Sequence, residues 1–271
     1  MNVIDITSSC SSELEVYAAC SEPQLRHFRD PDGGVFIAES CKVIGRALDG
    51  GMTPESVLVD ARMFDKQEIV TVLQRVGEVP VYRASAEVME SITGFHLTGG
   101  ILCCMTRPEL PSASSILVSA SSDHSRIAVL ENIVNPTNVG AVFRSAAAFN
   151  IDAVLLVEGS CDPLERRAMR VAMGTVFQLP WTFIGSEDVC GTLRSLGYKS
   201  AALALVDDSI TLDSEVLKEE PRLAVLIGNE GNGLTSKTIA SADYKVIIPM
   251  SHDVDSLNAA AASAVAFWEL T

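Results

Sequence analysis

The sequence lacks any paired-cysteine pattern. Its seven cysteines are an odd number and none forms a CxxC pair, so neither a disulfide framework nor a zinc site is indicated. Cys103 and Cys104 stand side by side in the apolar run ILCCM, where we expect buried, reduced thiols. The other cysteines are Cys10, Cys20, Cys41, Cys161 and Cys190. The four histidines are scattered, and no metal site is expected; they are His27, His96, His124 and His252.

Long hydrophobic runs are also missing. The longest apolar stretches are interrupted well short of the length that a membrane-spanning helix needs. The N-terminus, MNVIDITSSCSSELEVY, has neither the basic start nor the apolar run of a signal peptide. We therefore expect a soluble, cytoplasmic protein that does not associate with membranes.

Positive charge is scarce. The chain has 20 Lys and Arg against 35 Asp and Glu, a formal net charge of −15. This balance argues against broad, non-specific attraction to nucleic acids or anionic membranes. A nucleic-acid substrate would have to be held by a local basic patch.

Apolar residues are abundant, at 48% of 271 residues, so the chain can bury a sizeable core. Strand-like and helix-like segments alternate, which predicts an α/β fold. Residues 107–125, rich in Ser, Pro and Ala, are predicted to link a small α/β domain at 1–106 to a second domain at 126–271. In the second domain the buried strands are typical of a parallel sheet.

Three loops in the second domain follow predicted strands. They are NIVNPTNVGAVFR after RIAVLEN, IGNEGNGLT at 227–235, and IPMSHDVDSLN at 248–258. Ligands bind beyond the carboxyl ends of strands in open α/β sheets, so these loops are the candidate site.

The first loop leads into a helix, residues 135–149, that is apolar or small on every side except at Arg144. A helix of that kind is usually buried, and burying an unpaired arginine is costly. This conflict indicates a functional role for Arg144.

The second and third loops each allow two interpretations. IGNEGNGLT has glycines at 228, 231 and 233, the order GxxGxG and not the GxGxxG of a dinucleotide fold, which disfavours a nicotinamide-dependent oxidoreductase. It is either a ligand loop or a plain turn. Ser256 and Asn258 precede an Ala-rich helix and are either simple N-caps or site groups.

The three loops together resemble the motifs of the SPOUT superfamily, specifically the SpoU/TrmH-type RNA ribose 2′-O-methyltransferases. The matching segments are ENIVNPTNVGAVFRSAAAFNIDAVLL, LAVLIGNEGNGLT and VIIPMSHDVDSLNAAAASAVAF, within residues 127–271. RVAMGTVFQLP at 170–180 also resembles the family, which often has Ser where Ala172 stands. FIAESCKVIGRALDGG and SITGFHLTGGILCCM resemble the family's ribosomal-protein-like substrate-binding domain.

The resemblance implies a parallel-sheet domain with a deep C-terminal trefoil knot, homodimers paired through that domain, and S-adenosylmethionine as cofactor. The positions that match cofactor-binding residues are Gly228, Ile248 and Leu257. The positions that match polar active-site residues are Asn138, Arg144, Glu230, Ser256 and Asn258. Asn138 is also a candidate helix cap, and Glu230 is expected to orient Arg144 or nearby loop amides.

The implied reaction is methyl transfer to a ribose 2′-hydroxyl of RNA. The family assigns proton removal to the arginine matching Arg144, but a guanidinium is effectively always charged, so clamping the adjacent phosphate and stabilising the developing alkoxide is physically the easier role. By analogy, the N-terminal domain favours ribosomal RNA. Transfer RNA and a non-catalytic RNA-binding assembly factor remain alternatives. Candidate phosphate contacts, or merely solvated charges, are Arg166, Arg167, Arg170, Lys42, Arg46, Arg26 and Arg29.

Overall fold

The computed structural model describes residues 2–8, 12–18, 21–29, 33–119, 124–252 and 256–271. Cys10, Cys20 and residues 253–255 of the third loop therefore lie outside the described residues. The strands are β1 (Asn2–Ile6), β2 (Val35–Glu39), β3 (Pro54–Asp60), β4 (Pro80–Ala84), β5 (Ile101–Thr106), β6 (Ser125–Glu131), β7 (Ala153–Val157), β8 (Trp181–Ile184), β9 (Lys199–Leu203), β10 (Ile210–Thr211), β11 (Arg222–Gly228) and β12 (Tyr244–Ile247).

The helices follow the strands in the order expected for an α/β chain. They are α1 (Glu22–Arg26), α2 (Cys41–Asp49), α3 (Gln67–Arg75), α4 (Ala86–Thr93), α5 (Ala113–Ser119), α6 (Pro136–Ala148), α7 (Arg166–Val171), α8 (Val189–Ser195), α9 (Glu215–Glu219), α10 (Ser236–Ser241) and α11 (Ala259–Leu270). Short 3-10 turns cover Ser12–Tyr17 and Thr175–Phe177. No helix of the described part of the chain is long and apolar enough to span a membrane.

The chain divides into two compact units. Unit 1 comprises Met1–Glu109 and Leu164–Phe177, and unit 2 comprises Leu110–Pro163 and Gln178–Thr271. Unit 1 has a five-stranded sheet in the order β1-β4-β3-β5-β2, in which β5 runs antiparallel to both neighbours. Unit 2 has a seven-stranded sheet in the order β10-β12-β9-β11-β6-β7-β8, and every adjacent pair is parallel. The predicted mixed α/β fold with a parallel sheet is confirmed.

The central strands of unit 2 explain why their sequences are almost continuously apolar. Every residue of β6 and β7 is buried, since helices cover both faces of a parallel sheet. The predicted link at 107–125 contains α5, whose Ile116 and Leu117 are buried in the core of this unit.

The segment Leu164–Phe177 lies inside the predicted second domain, yet it packs with unit 1. The rings of Phe36 and Phe177 stack with centroids 5.7 Å apart, and Arg46 Nη1 donates to the Met173 carbonyl at 2.9 Å. The spacing of apolar residues predicts that this segment is helical, but it does not tell which of the two sheets the apolar side packs against.

The adjacent cysteines lie in β5 and are buried free thiols, as predicted. Burial raises the pKa of the Cys104 thiol to about 12, so the thiol stays protonated and inert at neutral pH. Among the described residues no cluster of side chains has the composition of a metal site.

A buried guanidinium near the amino end of β6 ties the ends of two helices to the sheet. Arg126 is 3% exposed, and backbone carbonyls accept its hydrogen bonds. Most of these carbonyls lie at the C-terminal ends of α9 and α11, where a helix leaves its last carbonyls without a partner. The acceptors are Ser125, Leu217, Lys218, Glu220 and Leu270, at 2.7–3.3 Å. Burial lowers the pKa of Arg126.

We predict that Arg126→Met lowers the free energy of unfolding by about 3 kcal/mol, because several buried carbonyls lose their donor. Urea denaturation measures the change. Arg194→Met is the control, since Arg194 is exposed and 3.6 Å from Asp243, and it should cost about 1 kcal/mol or less. Equal losses in both variants would contradict a structural role specific to Arg126.

Candidate active site

Three of the predicted loops leave the same edge of the unit 2 sheet. Strands β6, β11 and β12 are parallel members of one sheet, so their carboxyl ends share an edge. A cleft of about 400 Å³ opens there, within the size range of small-molecule sites. Five residues singled out from the sequence line it: Gly228, Glu230, Ile248, Ser256 and Leu257.

Gly228 ends β11 where the backbone turns back on itself. A Cβ at this position would lie 2.2 Å from the Leu234 nitrogen and 2.3 Å from the Gly233 carbonyl carbon. The loop closes through a hydrogen bond from the Gly233 nitrogen to the Asn229 oxygen at 2.8 Å. Glycine is therefore required by close packing of the backbone, which the spacing of glycines alone did not establish.

A fourth loop lines the cleft and was missed by the sequence analysis. Leu203 ends β9, which lies between β11 and β12, and Ala204 and Leu205 follow it. Leu205 is 59% exposed, an unusual state for a leucine beside a cleft. The available signal was the apolar, strand-like run KSAALALV at 199–206, since the end of a parallel strand in the same sheet reaches the same edge.

The side chain of Asn258 joins three segments. Its Oδ1 accepts a hydrogen bond from the Ala260 nitrogen at 3.0 Å and so caps α11. Its Nδ2 donates to Asn138 Oδ1 at 3.2 Å and to Glu230 Oε1 at 3.0 Å. The amide that caps α11 thus also contacts two of the other candidate site residues, so the capping role does not exclude a site role.

The cap of α6 is Asn135, whose Oδ1 accepts from the Thr137 nitrogen at 2.9 Å. The expectation that Asn138 caps this helix was wrong, because the helix begins at Pro136 and Asn138 lies inside its first turn. Asn138 is 5% exposed and turns inward to Asn258. Ser256, the other cap candidate, is exposed at the cleft.

Arg144 lies on the same helix as Asn138 but on an exposed part of its surface. The conflict posed by a buried arginine is therefore absent. Arg144 neither lines the cleft nor contacts the Asn138, Glu230 and Asn258 group, and the described residues offer its side chain no hydrogen bond or ion pair. Glu230 was expected to orient Arg144 or nearby loop amides, and its carboxylate accepts a hydrogen bond from the Asn258 side chain of the third loop.

Among the described residues, Arg144 differs from the other cations of unit 2 in having no hydrogen-bond or ion-pair partner. This unit has eight Lys and Arg against eighteen Asp and Glu, a net charge of −10. Within the described part of the unit, the other seven cations all have carboxylate or carbonyl partners: Arg126, Arg194, Lys199, Lys218, Arg222, Lys237 and Lys245. An unpaired cation in an acidic unit is available to an anionic ligand.

Several predicted phosphate contacts are engaged inside unit 1. Arg170 Nη1 lies 3.2 Å from Glu39 Oε1, and Arg166 Nε lies 3.8 Å from Oε2 of the same buried carboxylate. Arg166 also stacks on the Phe95 ring at 4.0 Å. Arg29 pairs with Glu55 at 2.5 Å. These three arginines therefore already have carboxylate or aromatic partners within unit 1.

Comparison with known proteins shows the family of the chain. The profile of the SpoU rRNA Methylase family matches residues 125–268, more than half of the chain and all three loops. The chain belongs to the SpoU rRNA methylase family. The predicted resemblance is confirmed, and with it the class of RNA methyltransferases.

Relatives of this SpoU methylase extend along nearly its whole length. It is 36% identical, over 95% of its own chain and 92% of the relative, to an "Uncharacterized tRNA/rRNA methyltransferase" of Mycobacterium bovis. It is 23% identical, over 87% and 88%, to the 23S rRNA (guanosine(2553)-2'-O)-methyltransferase RlmP of Bacillus subtilis. The fold resembles an AdoMet-bound rRNA methyltransferase from Sinorhizobium meliloti, with a TM-score of 0.82, 23% identity and 99% and 97% of the chains covered.

We predict that Gly228→Ala destabilises this SpoU methylase by about 2 kcal/mol, because the added methyl overlaps backbone atoms that cannot move independently. Thermal unfolding measures the loss. Gly185→Ala is the matched control in the same unit: a Cβ there meets nothing within 4 Å, and its effect should stay within about 0.5 kcal/mol. A Gly228→Ala variant as stable as this control would refute the close-packing argument.

Proposed function

We propose that the cleft of unit 2 binds S-adenosylmethionine and that the enzyme transfers its methyl group to a ribose 2′-hydroxyl of ribosomal RNA. The observation that carries this proposal is the convergence of Gly228, Glu230, Ile248, Ser256 and Leu257, drawn from two distant loops, on one cleft. Family membership fixes the reaction class, and the cleft supplies a place for it.

The residues around the cleft fit the cofactor. Because Gly228 has no side chain, the backbone groups of the loop can face a ligand directly. Ile248, Leu257 and Leu205 offer apolar surface to an adenosine. When bound, S-adenosylmethionine supplies an electrophilic methyl group on a sulfonium sulfur. Gly228, Ile248 and Leu257 would hold it.

Arg144 acts on the RNA. Its guanidinium is permanently charged and presents a planar fork that matches a phosphate, so it positions the substrate and stabilises negative charge developing on the 2′ oxygen. The proton of the hydroxyl leaves to phosphate or water. The absence of a carboxylate partner among the described residues is what keeps this fork open to RNA.

Asn138, Glu230 and Asn258 hold the geometry of the site. The amide of Asn258 fixes α11, the first turn of α6 and the loop after β11 relative to one another. Ser256 lies at the exposed mouth of the cleft and contacts the nucleotide. The protein thus supplies orientation, and the cofactor supplies the reactive group.

The substrate class follows from relatives and from unit 1. RlmP of Bacillus subtilis is named for a guanosine of 23S rRNA, and its match spans most of this chain, unit 1 included. Unit 1 serves as the ribosomal-protein-like substrate-binding domain. Exposed Lys42 on α2 is its contribution to phosphate binding, since the arginines described above are engaged internally.

The C-terminal region carries the trefoil knot. In support, α11 packs on α6 and on β11, whereas the strand before it, β12, lies on the far side of β9. A second copy of the chain pairs with this region. Ala261, Val265 and Trp268 lie on one face of α11, and Val265 and Trp268 are 41% and 72% exposed. A tryptophan so exposed indicates an interface.

Calorimetry and RNA mapping test the activity. The wild-type protein should bind S-adenosylmethionine and its demethylated product but not NAD. Ribose-methylation mapping should show one ribosomal RNA position that loses its methyl group when the gene is deleted. A protein that binds neither cofactor form, or a deletion that changes only transfer RNA, would overturn the corresponding part of the proposal.

We predict that Arg144→Ala lowers kcat at least about 100-fold, because charge on the 2′ oxygen loses its stabiliser, while affinity for S-adenosylmethionine is unchanged. Arg144→Lys should recover little, since lysine lacks the fork. Radiolabelled methyl transfer measures both. Arg194→Ala, which removes a paired exposed cation of the same unit, should retain wild-type turnover; turnover near wild type in Arg144→Ala would exclude Arg144 from the chemistry.

We predict that Trp268→Glu converts a dimer to monomers in sedimentation velocity, since a carboxylate would be buried at the paired face. Val216→Glu is the control on α9, where Val216 is 50% exposed and lies outside this face. Dimers in the Trp268→Glu variant, or a wild-type monomer, would reject this interface.

A further inference from the structure

Glu131 has a buried carboxylate that lies outside the cleft but is hydrogen-bonded next to the loop that lines the cleft. Glu131 is the last residue of β6, is 2% exposed, and lies opposite Gly228 in the β6–β11 register. Burying a carboxylate is costly unless hydrogen bonds compensate for the lost hydration. The described residues give Glu131 no cationic partner, so the compensation comes from neutral donors.

All of those donors lie where the loop enters α10. Glu131 Oε1 accepts hydrogen bonds from Thr235 Oγ1 at 3.0 Å and Thr238 Oγ1 at 2.9 Å, and Oε2 accepts from the Thr235 nitrogen at 3.3 Å. Thr235 is the N-cap of α10 and accepts from the Thr238 nitrogen. The carboxylate therefore fastens the C-terminal end of the loop.

The next residue along the chain fastens the other end. The Asn132 carbonyl accepts a hydrogen bond from Asn229 Nδ2 at 3.0 Å. Asn229 Oδ1 in turn accepts from the Gly231 nitrogen at 2.8 Å, which shapes the turn that carries Glu230. Glu131, the last residue of β6, and Asn132, the residue after it, thus hold both ends of residues 229–235.

We propose that Glu131 is a positioning residue for methyl transfer. It does not line the cleft; it holds the loop that supplies Gly228 and Glu230 to the cleft, and through Glu230 it sets the position of the Asn258 amide. The inference rests on the proposed function, because the position of this loop matters to catalysis only if the cleft binds the methyl donor.

Glu131→Gln tests the proposal with almost no change in shape. The amide replaces one accepting oxygen with an NH2 group. This NH2 group then faces the hydroxyl and N–H donors of Thr235 and Thr238, which lose an acceptor, so the C-terminal end of the loop is no longer held. We expect the dissociation constant and KM for S-adenosylmethionine to rise about tenfold or more, as the loss of one hydrogen bond to a charged group would give. The KM for RNA should stay within about twofold.

A pair of variants at Thr238 provides the matched control. Thr238→Ser keeps the hydroxyl that donates to Glu131 and should retain wild-type cofactor affinity, whereas Thr238→Val should weaken it in the same direction as Glu131→Gln. The double variant Glu131→Gln with Thr238→Val should be no weaker than Glu131→Gln alone, since both changes remove one contact.

The readouts separate positioning from folding and from the proposed function. Affinity is measured well below the thermal midpoint of each variant, so a purely structural role would lower that midpoint and leave the dissociation constant unchanged. That result would overturn the inference. A wild-type protein that fails to bind S-adenosylmethionine would instead overturn the proposed function itself.

Discussion

The side-chain amide of Asn258 is the contact on which the geometry of the site depends. An amide has a fixed plane with one accepting and one donating end, and here each end is used. The oxygen caps α11, and the nitrogen donates to Asn138 and Glu230. This one amide therefore joins segments that lie more than a hundred residues apart in the sequence, and their meeting depends on the folded sheet that delivers them to one edge.

Charge distribution explains how an acidic protein can accept an anionic substrate. Unit 2 has a net charge of −10, and apart from Arg144 its described cations are neutralised by carboxylates or used up by carbonyls. Under the proposed function, attraction to RNA is therefore local rather than general. Such a surface would disfavour non-specific binding while leaving one fork for a phosphate, an arrangement that favours selectivity over affinity.

The sequence predicted the parts of the structure that depend on periodicity and on motif order. The parallel sheet of unit 2, the three loops at strand ends and the convergence of Gly228 with Ser256 follow from alternating apolar strands and helices. The pattern of α6 is typical of a helix buried on every side, yet Arg144 is exposed, because small residues around a helix do not reveal which side faces solvent. The position of Leu164–Phe177 and the loop at Leu203–Leu205 depend on tertiary contacts that a linear pattern does not encode.

Strand β6 buries a charged side chain near each of its ends, and each charge must be compensated by hydrogen bonds. Its second residue is the buried cation Arg126 and its last residue is the buried anion Glu131, yet the two side chains are not partners. Arg126 takes the unpaired carbonyls at helix ends, and Glu131 takes hydroxyl and N–H donors at a helix start. Each charge compensates backbone groups that a helix cannot satisfy itself. Arg126 holds the C-terminal ends of α9 and α11, and Glu131 holds the loop that lines the cleft, so the two buried charges of one strand fix different segments of unit 2.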